Sequence, residues 1–376
     1  MRILHAHSIF ALGGKEARAV RLMNAFGGAA EHCVISGVPD QLSAQDAIEK
    51  HVGVEFPRDA PSLAGRPGLR FWSLARYMRR FDLILTYNWG GFDAVTARRL
   101  FGGPPLIHHE DGFNQDEADG LKPVRNGYRR LGLRAAYRLV VPSEQLEKIA
   151  LSAWRQPAGK VERIPNGIPV DRFALAPAPD AIPGLIRRRG EIVIGTIAGL
   201  RPVKNLPRLV RAFAGMRNRN ARLVIVGQGP ESERIVAEAR RTGVADRLIL
   251  PGFLSDPASY VALFDIFALS SNSEQFPISL VEAMAAGLPV VATSVGDIPT
   301  IVSPDNRPLI VDPDDEAAFS AALDGLAERA DLRRALGEAN RERVAAEYDE
   351  RRMIGRYARL YGEAIGRPQA FMPQVA

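Results

Sequence analysis

Two pairs of charged residues in this chain have types and spacings suited to a ligand that carries both phosphate and hydroxyl groups. Glu274 and Glu282 lie eight positions apart in the stretch EQFPISLVEAMAAGLPVVAT, residues 274–293. An ionised carboxylate accepts hydrogen bonds from two hydroxyls at once, so such groups suit a polyol better than a bare anion. Arg201 and Lys204 stand three positions apart, which lets both cations meet one diphosphate. A third polar cluster, His108-His109-Glu110-Asp111-Gly112, follows Leu106-Ile107 and brings together groups that ionise or titrate. Each spacing alone also fits ordinary solvated side chains, so the elements that carry them decide more.

Phe276-Pro277 imposes extended or turning backbone ahead of residues 278–284, whose apolar spacing is helical, and Gly287 supplies a left-handed C-cap. Residues 288–292 then read as a short buried strand. Glu274 therefore falls on a loop and Glu282 on the helix after it. Arg201 and Lys204 follow an apolar, β-branched strand at residues 192–200. In open parallel sheets, ligands bind beyond the carboxyl ends of strands, where helix N-termini offer free N–H groups.

The same alternation runs through the chain. Residues 2–7 read as a strand that enters a loop with Gly13-Gly14 and then a helix at 15–26, an order that brings backbone N–H groups near a phosphate or sugar. Further strands are expected at 32–36, 81–86, 106–109, 139–142, 161–164, 222–226, 248–253, 264–270 and 309–311, with helices between them; this predicts an α/β fold with parallel sheets. Ser143 reads as a helix N-cap. The turn Gly227-Gln228-Gly229-Pro230 lacks the third glycine and the distal acid of a dinucleotide fingerprint. A helix at 69–80 places Phe71, Leu74, Met78 and Phe81 on one stripe, for a core or a membrane surface. Prolines 177, 179 and 183 among alanines suggest a linker, and two charged helices are expected at 316–329 and 331–359.

At 376 residues, 46% hydrophobic and 24% charged, the chain has the balance of a soluble protein of two or three domains. No run of eighteen apolar residues suggests a transmembrane helix, and the N-terminus reads as a strand rather than a signal peptide. A single Cys33 rules out an intramolecular disulfide and a cysteine metal cluster, which suits a reducing cytoplasm. The net charge of +6 is concentrated at residues 122–138, where Lys122, Arg125, Arg129, Arg130, Arg134 and Arg138 occur without an acid. Arg130, Arg134 and Arg138 have the spacing of one helical stripe, suited to anionic lipid or a phosphorylated acceptor. Nucleic acid is not expected, since no recognition-helix or aromatic-interleaved basic pattern accompanies the charge.

The motif E-x-F-P-x-x-L-x-E-A-M-A-A-G-x-P-V-V-A-T at 274–293 resembles the E-x7-E signature of the retaining glycosyltransferases of family 4. Gly199, Arg201, Lys204 and Asn205 resemble that family's first donor-side loop, and the stretch from Pro165-Asn166-Gly167 to Phe173 resembles the end of its first domain. The resemblance covers nearly the whole chain and implies the GT-B fold: two Rossmann-like, doubly wound parallel-sheet domains facing a central cleft. It places an acceptor domain at 1–175, a linker at 176–190, a donor domain at 191–345, a helix at about 345–366 returning to the first domain, and a loose tail at 367–376.

The same resemblance implies a co-substrate, a nucleoside-diphosphate sugar, UDP-linked first and GDP-linked next, with no other cofactor and no metal. Arg201 and Lys204 would neutralise the departing diphosphate, Glu274 would hold the sugar hydroxyls and Glu282 the ribose. Gly13, Gly14, Gly199, Asn205, Gly227, Gly229, Phe253, Phe276, Pro277 and Ile278 would complete the donor surroundings. Across the cleft the family carries a histidine followed by glycine; here strand length points to His109 and the glycine points to Asp111. Asp297 and Thr300 stand where the family usually has Gly and Glu. The expected acceptor is lipid-linked or a saccharide in cell-surface glycan synthesis, with the enzyme expected in the cytoplasm, free or peripheral on the inner membrane face through residues 122–138. Alternatives are a silent nucleotide-sugar-binding subunit and a GT-B epimerase.

Overall fold

The computed structural model describes residues 1–63, 65, 68–113, 117 and 120–371. It comprises two units, Met1–Asn166 with Arg351–Ala376, and Gly167–Glu350.

In the first unit the strands are β1 (Arg2–His7), β2 (Glu31–Ser36), β3 (Val54–Glu55), β4 (Leu83–Tyr87), β5 (Leu106–His109), β6 (Arg138–Val141) and β7 (Val161–Arg163). They form one sheet in the order β3-β2-β1-β4-β5-β6-β7, and every pairing is parallel. Helices α1 (Gly14–Phe26), α2 (Leu69–Met78), α3 (Phe92–Phe101), α4 (Pro123–Gly132) and α5 (Glu144–Ser152) lie between strands. A parallel sheet covered on both faces needs apolar side chains on both. Leu4, Ala6, Ile84 and Leu139 enter one core, while Ile3, Leu83, Leu85 and Val140 enter the other. Ser143 caps α5, its Oγ accepting from the Leu146 N–H at 3.1 Å.

The basic stripe at Arg130, Arg134 and Arg138 does not survive as a helix. Helix α4 ends at Gly132, Arg134 falls in a single 3-10 turn and Arg138 begins β6. The β-branched, fully buried run after Arg138 pairs with β5 and β7, and that tertiary pairing outweighs helical spacing. In α2, Leu74 and Met78 are buried as the apolar stripe predicts.

The second unit holds β8 (Ile192–Ile197), β9 (Ala221–Val226), β10 (Leu248–Gly252), β11 (Ile266–Leu269), β12 (Val290–Thr293) and β13 (Ile310–Val311), in the order β10-β9-β8-β11-β12-β13, again all parallel. Its helices are α6 (Leu206–Gly215), α7 (Ser232–Arg241), α8 (Ile278–Ala285), α9 (Ile298–Ile301), α10 (Glu316–Glu328) and α11 (Ala330–Glu347). Alternate residues again divide the sheet: Val193, Val224, Phe267 and Val290 pack on one face, Ile194, Leu223, Ile266 and Val291 on the other. The first sheet reverses strand order between β1 and β4, the second between β8 and β11. At each reversal the flanking crossovers leave toward opposite faces, which opens a crevice at the strand ends.

Three boundaries differ from the sequence reading. The first unit ends at Asn166 rather than at 175, and residues 176–190 are part of the second unit, not a linker, because Ile182 and Leu185 are buried in its core beside Phe173. The long helix expected at 331–359 breaks at Tyr348-Asp349, where Ile168 N donates to Tyr348 O and Glu350 N donates to Ile168 O, both at 2.9 Å. A Cβ on Gly167 would fall 2.6 Å from Glu350 Cα, so only glycine fits this passage. Helix α12 (Glu350–Ala364) then packs Met353, Tyr357 and Tyr361 into the first unit. Of the expected loose tail, residues 367–371 are held, with Phe371 buried against Phe26; residues 372–376 lie outside the described residues.

Candidate active site

In the second unit Arg201, Lys204, Asn205 and Glu274 lie on the two loops that leave the neighbouring strands β8 and β11, whereas Gly227, Gly229 and Phe253 follow β9 and β10 and Glu282 lies on α8. Strand β8 runs into Ala198-Gly199-Leu200-Arg201, and a short turn at Pro202–Lys204 leads to Asn205, whose left-handed backbone (φ 41°) starts α6. Strand β11 delivers Ser270 to Glu274 into the crevice between β8 and β11. Lys204 Nζ lies 2.5 Å from Glu274 Oε1, and Ser271 Oγ donates to the same oxygen at 2.6 Å. The cation and the carboxylate that the sequence reading gave to separate parts of a ligand therefore meet directly.

Several supports for this pair were missed, although the polar run Ser270-Ser271-Asn272 after an apolar strand signals them. Ser270 Oγ donates to the carbonyls of Lys204 and Asn205 at 3.1 and 3.0 Å. Asn205 Nδ2 donates to Asn272 Oδ1 at 3.1 Å, and Asn272 N donates to Val203 O at 2.8 Å. Thr293 Oγ1 donates to Ser271 O at 2.6 Å, and the buried Arg208 holds Ser270 O at 3.0 Å. The two loops are thus fixed to each other, which preorganises the charges they carry.

Arg201 is exposed at the start of this turn, its Nε 3.4 Å from where a Cβ on Gly199 would stand. Gly227 and Gly229, both at positive φ, run against β8's extension: Cβ atoms there would lie 1.9 Å from Ala198 O and 2.5 Å from Leu200 O. Phe253, just beyond β10, is exposed. Phe276 packs edge-on against Tyr348, Pro277 occupies the N-cap position of α8, and Ile278 opens the helix. Glu282 is half-buried on α8 near Tyr260, whose phenol burial pushes up, with Glu282 adding to the shift.

In the first unit, Gly13 and Gly14 open α1 without a side-chain cap. The two candidates at the end of β5 have different surroundings. His109 is buried; its Nδ1 lies 3.2 Å from Thr86 O and its Nε2 2.9 Å from Tyr361 Oη. A carbonyl only accepts, so Nδ1 carries the proton and Nε2 accepts from the tyrosine. Burial, reinforced by Arg18, lowers this imidazole to about 3. Asp111 keeps 13% of its side chain exposed. Both its oxygens bind Arg18, and its N–H donates to Asn88 Oδ1 at 2.7 Å. Burial alone would raise its carboxyl, but Arg18 outweighs that and holds it below the usual range. Lys15, which contacts Glu16, is lowered by burial to about 8. Among the described residues no group of three His, Cys, Asp or Glu side chains is placed to hold a metal ion.

Two family models match the chain: Glycosyltransferase Family 4 over residues 3–172 and Glycosyl transferases group 1 over 181–343. The chain belongs to glycosyltransferase family 4. A GDP-mannose-dependent alpha-(1-6)-phosphatidylinositol monomannoside mannosyltransferase of Mycobacterium tuberculosis is 34% identical over 253 residues, 64% of either chain. An N-acetyl-alpha-D-glucosaminyl L-malate synthase of Bacillus anthracis is 28% identical over 176 residues, 46% of either chain. The chain thus spans about half to two-thirds of these relatives' length. Among solved structures, sucrose-phosphate synthase from Thermosynechococcus elongatus has a TM-score of 0.79 at 22% identity, covering 97% of this chain and all of that one. HepE of Anabaena, solved with UDP, has a TM-score of 0.78 at 20% identity, covering 96% and 100%. The fold of this family 4 member is GT-B.

Proposed function

We propose that this family 4 member transfers a sugar, with retention at the anomeric carbon, from a nucleoside diphosphate to a hydroxyl of a saccharide or lipid-linked acceptor in glycan synthesis. The observation that carries the reading is the Lys204–Glu274 pair, held by Ser271 at the β8–β11 crevice. As the glycosidic bond to the diphosphate breaks, negative charge grows on the leaving oxygens. Lys204 and Arg201 offset that charge, which lowers the barrier only if they stand in place beforehand. Glu274 then exchanges its lysine for the sugar's hydroxyls, and Glu282 accepts from those of the ribose. The exposed face of Phe253 borders the base. These cations take the part a divalent metal plays elsewhere, so no metal is required.

UDP is the first choice of nucleotide and GDP the second; the UDP complex of the Anabaena protein supports the former and the name of the mycobacterial relative the latter. In the first unit, Asp111 faces the acceptor side and His109 serves as an internal hydrogen-bonding post. The basic segment at 122–138 supports an anionic acceptor or surface at the membrane.

Calorimetric titration of UDP, GDP and ADP, with a chelator present, tests this reading. One nucleotide is expected to bind, and Glu282→Ala should weaken it about tenfold, the loss of a charge-assisted hydrogen bond. Absence of binding by all three, or binding that requires a divalent ion, would refute it.

A further inference from the structure

Helix α4 has the reverse of the usual arrangement. Val124, Tyr128 and Leu131, at i, i+4 and i+7, share one face and are 72%, 57% and 61% exposed. The opposite face, which holds the helix to its unit, is polar. Trp154 Nε1 donates to Asn126 Oδ1 at 3.0 Å. Arg129 is buried, 3.2 Å from Glu110 and 3.1 Å from Glu117, with its guanidinium against the rings of Trp89, Phe113 and Trp154. A helix of a water-soluble domain ordinarily turns its apolar stripe inward. Here rotation would strip the buried carboxylates of Glu110 and Glu117 of the Arg129 cation, and an unpaired buried charge is strongly unfavourable. The outward stripe is therefore locked.

Its surroundings have a consistent character. Arg125 and Arg130 flank the stripe on either side of the helix, and Lys122 and Arg134 are exposed at its two ends. Helix α2 exposes Leu69 and Trp72, with Arg76 over the indole at 5.6 Å. Both helices meet the first turn of α3: Arg70 pairs with Asp93 at 2.6 Å, and Gly132 abuts Phe92, where a Cβ would come within 2.8 Å. Neither α2 nor α4 contains an acidic residue. Apolar side chains that enter an interface between flanking arginines match a bilayer surface with anionic headgroups. A second copy of the chain would oppose arginine to arginine.

We infer that the outward face of α4, with the first turn of α2, docks on an anionic phospholipid surface. Val124, Tyr128 and Leu131 enter the headgroup boundary while Arg130 and Arg134 meet lipid phosphates. This inference deepens the lipid-linked acceptor proposed above and rests on that reading for its purpose. Nucleotide titration in the absence of lipid tests the reading separately.

The test is co-sedimentation of the full chain with vesicles of phosphatidylglycerol mixed with phosphatidylcholine, against phosphatidylcholine alone, at low and moderate salt. Binding to the anionic vesicles is expected, weakened by salt. Val124→Asp with Leu131→Asp, and separately Arg130→Gln with Arg134→Gln, should each lower partitioning at least about tenfold. Both variants should keep the parent's melting temperature and nucleotide binding. Failure of the parent chain to bind, or undiminished binding by folded variants, would overturn the inference. So would a concentration-dependent dimer that the Asp substitutions abolish.

Discussion

At the scale of single residues, the proposed chemistry rests on one lysine and one glutamate whose side chains are legible by type but not by mutual contact. Arg201, Lys204, Glu274 and Glu282 stand out in the sequence because their spacing fits a known signature. That Lys204 contacts Glu274 could not be read, since the two are seventy positions apart and meet only through sheet order. The polar run after β11 flags Ser271, but which groups Ser271 and Thr293 hold follows only once β11 and β12 lie side by side. Replacing Ser271 with Ala removes one of the two groups holding the Glu274 carboxylate. Turnover should fall roughly three- to tenfold, as expected for one lost hydrogen bond, while the melting temperature stays close to the parent's. Steady-state kinetics beside a thermal melt would check this; a lowered melting temperature with unchanged turnover would make Ser271 purely structural. At the end of β5, strand length and the following glycine pointed to different residues. The hydrogen bonds explain the ambiguity: His109 serves the interior, and Asp111 reaches the surface of the unit.

At the scale of elements, the alternation of buried strands and helices was legible because both faces of a parallel sheet must be apolar. Sequence pattern and structure part where tertiary pairing competes with local pattern. A helical stripe of arginines at 130, 134 and 138 was cut short by pairing of β6. A proline- and alanine-rich stretch resembled a linker, yet Ile182 and Leu185 anchor it in a core. The Gly227-Gln228-Gly229 turn is a place where backbone sterics govern the site. With φ of 143°, and with an added Cβ only 1.9 Å from Ala198 O, Gly227 has no room for a methyl group. Gly227→Ala should therefore displace the loop that leads to Arg201. It should destabilise the second unit by about 2 kcal/mol or more and weaken nucleotide binding, as urea melts and titration would show. Unchanged stability would mean that the turn relaxes freely. The outward face of α4 was hidden because its apolar residues have proper helical spacing, and spacing does not tell which side a helix buries.

At the scale of the whole molecule, each unit has its own sheet, core and switch point, and two chain passages connect them, at Asn166–Gly167 and Glu350–Arg351. The first unit carries a burden the second lacks: its buried histidines. His5 and His7 are lowered well below their usual value by burial, His32 to about 4 and His109 to about 3, each with burial as the first cause. Their unfolded value is near 6.5. Below that pH the unfolded chain binds protons that the folded one refuses, so their contribution is complete above about 6.5 and is lost as pH falls toward 3. Each imidazole should cost on the order of 1 to 2 kcal/mol by pH 5. Melting temperature is expected to drop steeply from pH 7 to pH 5, and a flat profile there would contradict the neutral, buried assignment.

Whether the β8–β11 crevice transfers sugar from a nucleoside diphosphate is decided by incubating the protein with UDP-, GDP- and ADP-sugars and measuring release of the nucleoside diphosphate. Slow release from one donor, UDP-linked first, is expected, with a loss of about a hundredfold in Lys204→Ala. No release from any donor despite tight nucleotide binding, or equal release by the variant, would contradict the proposed transfer.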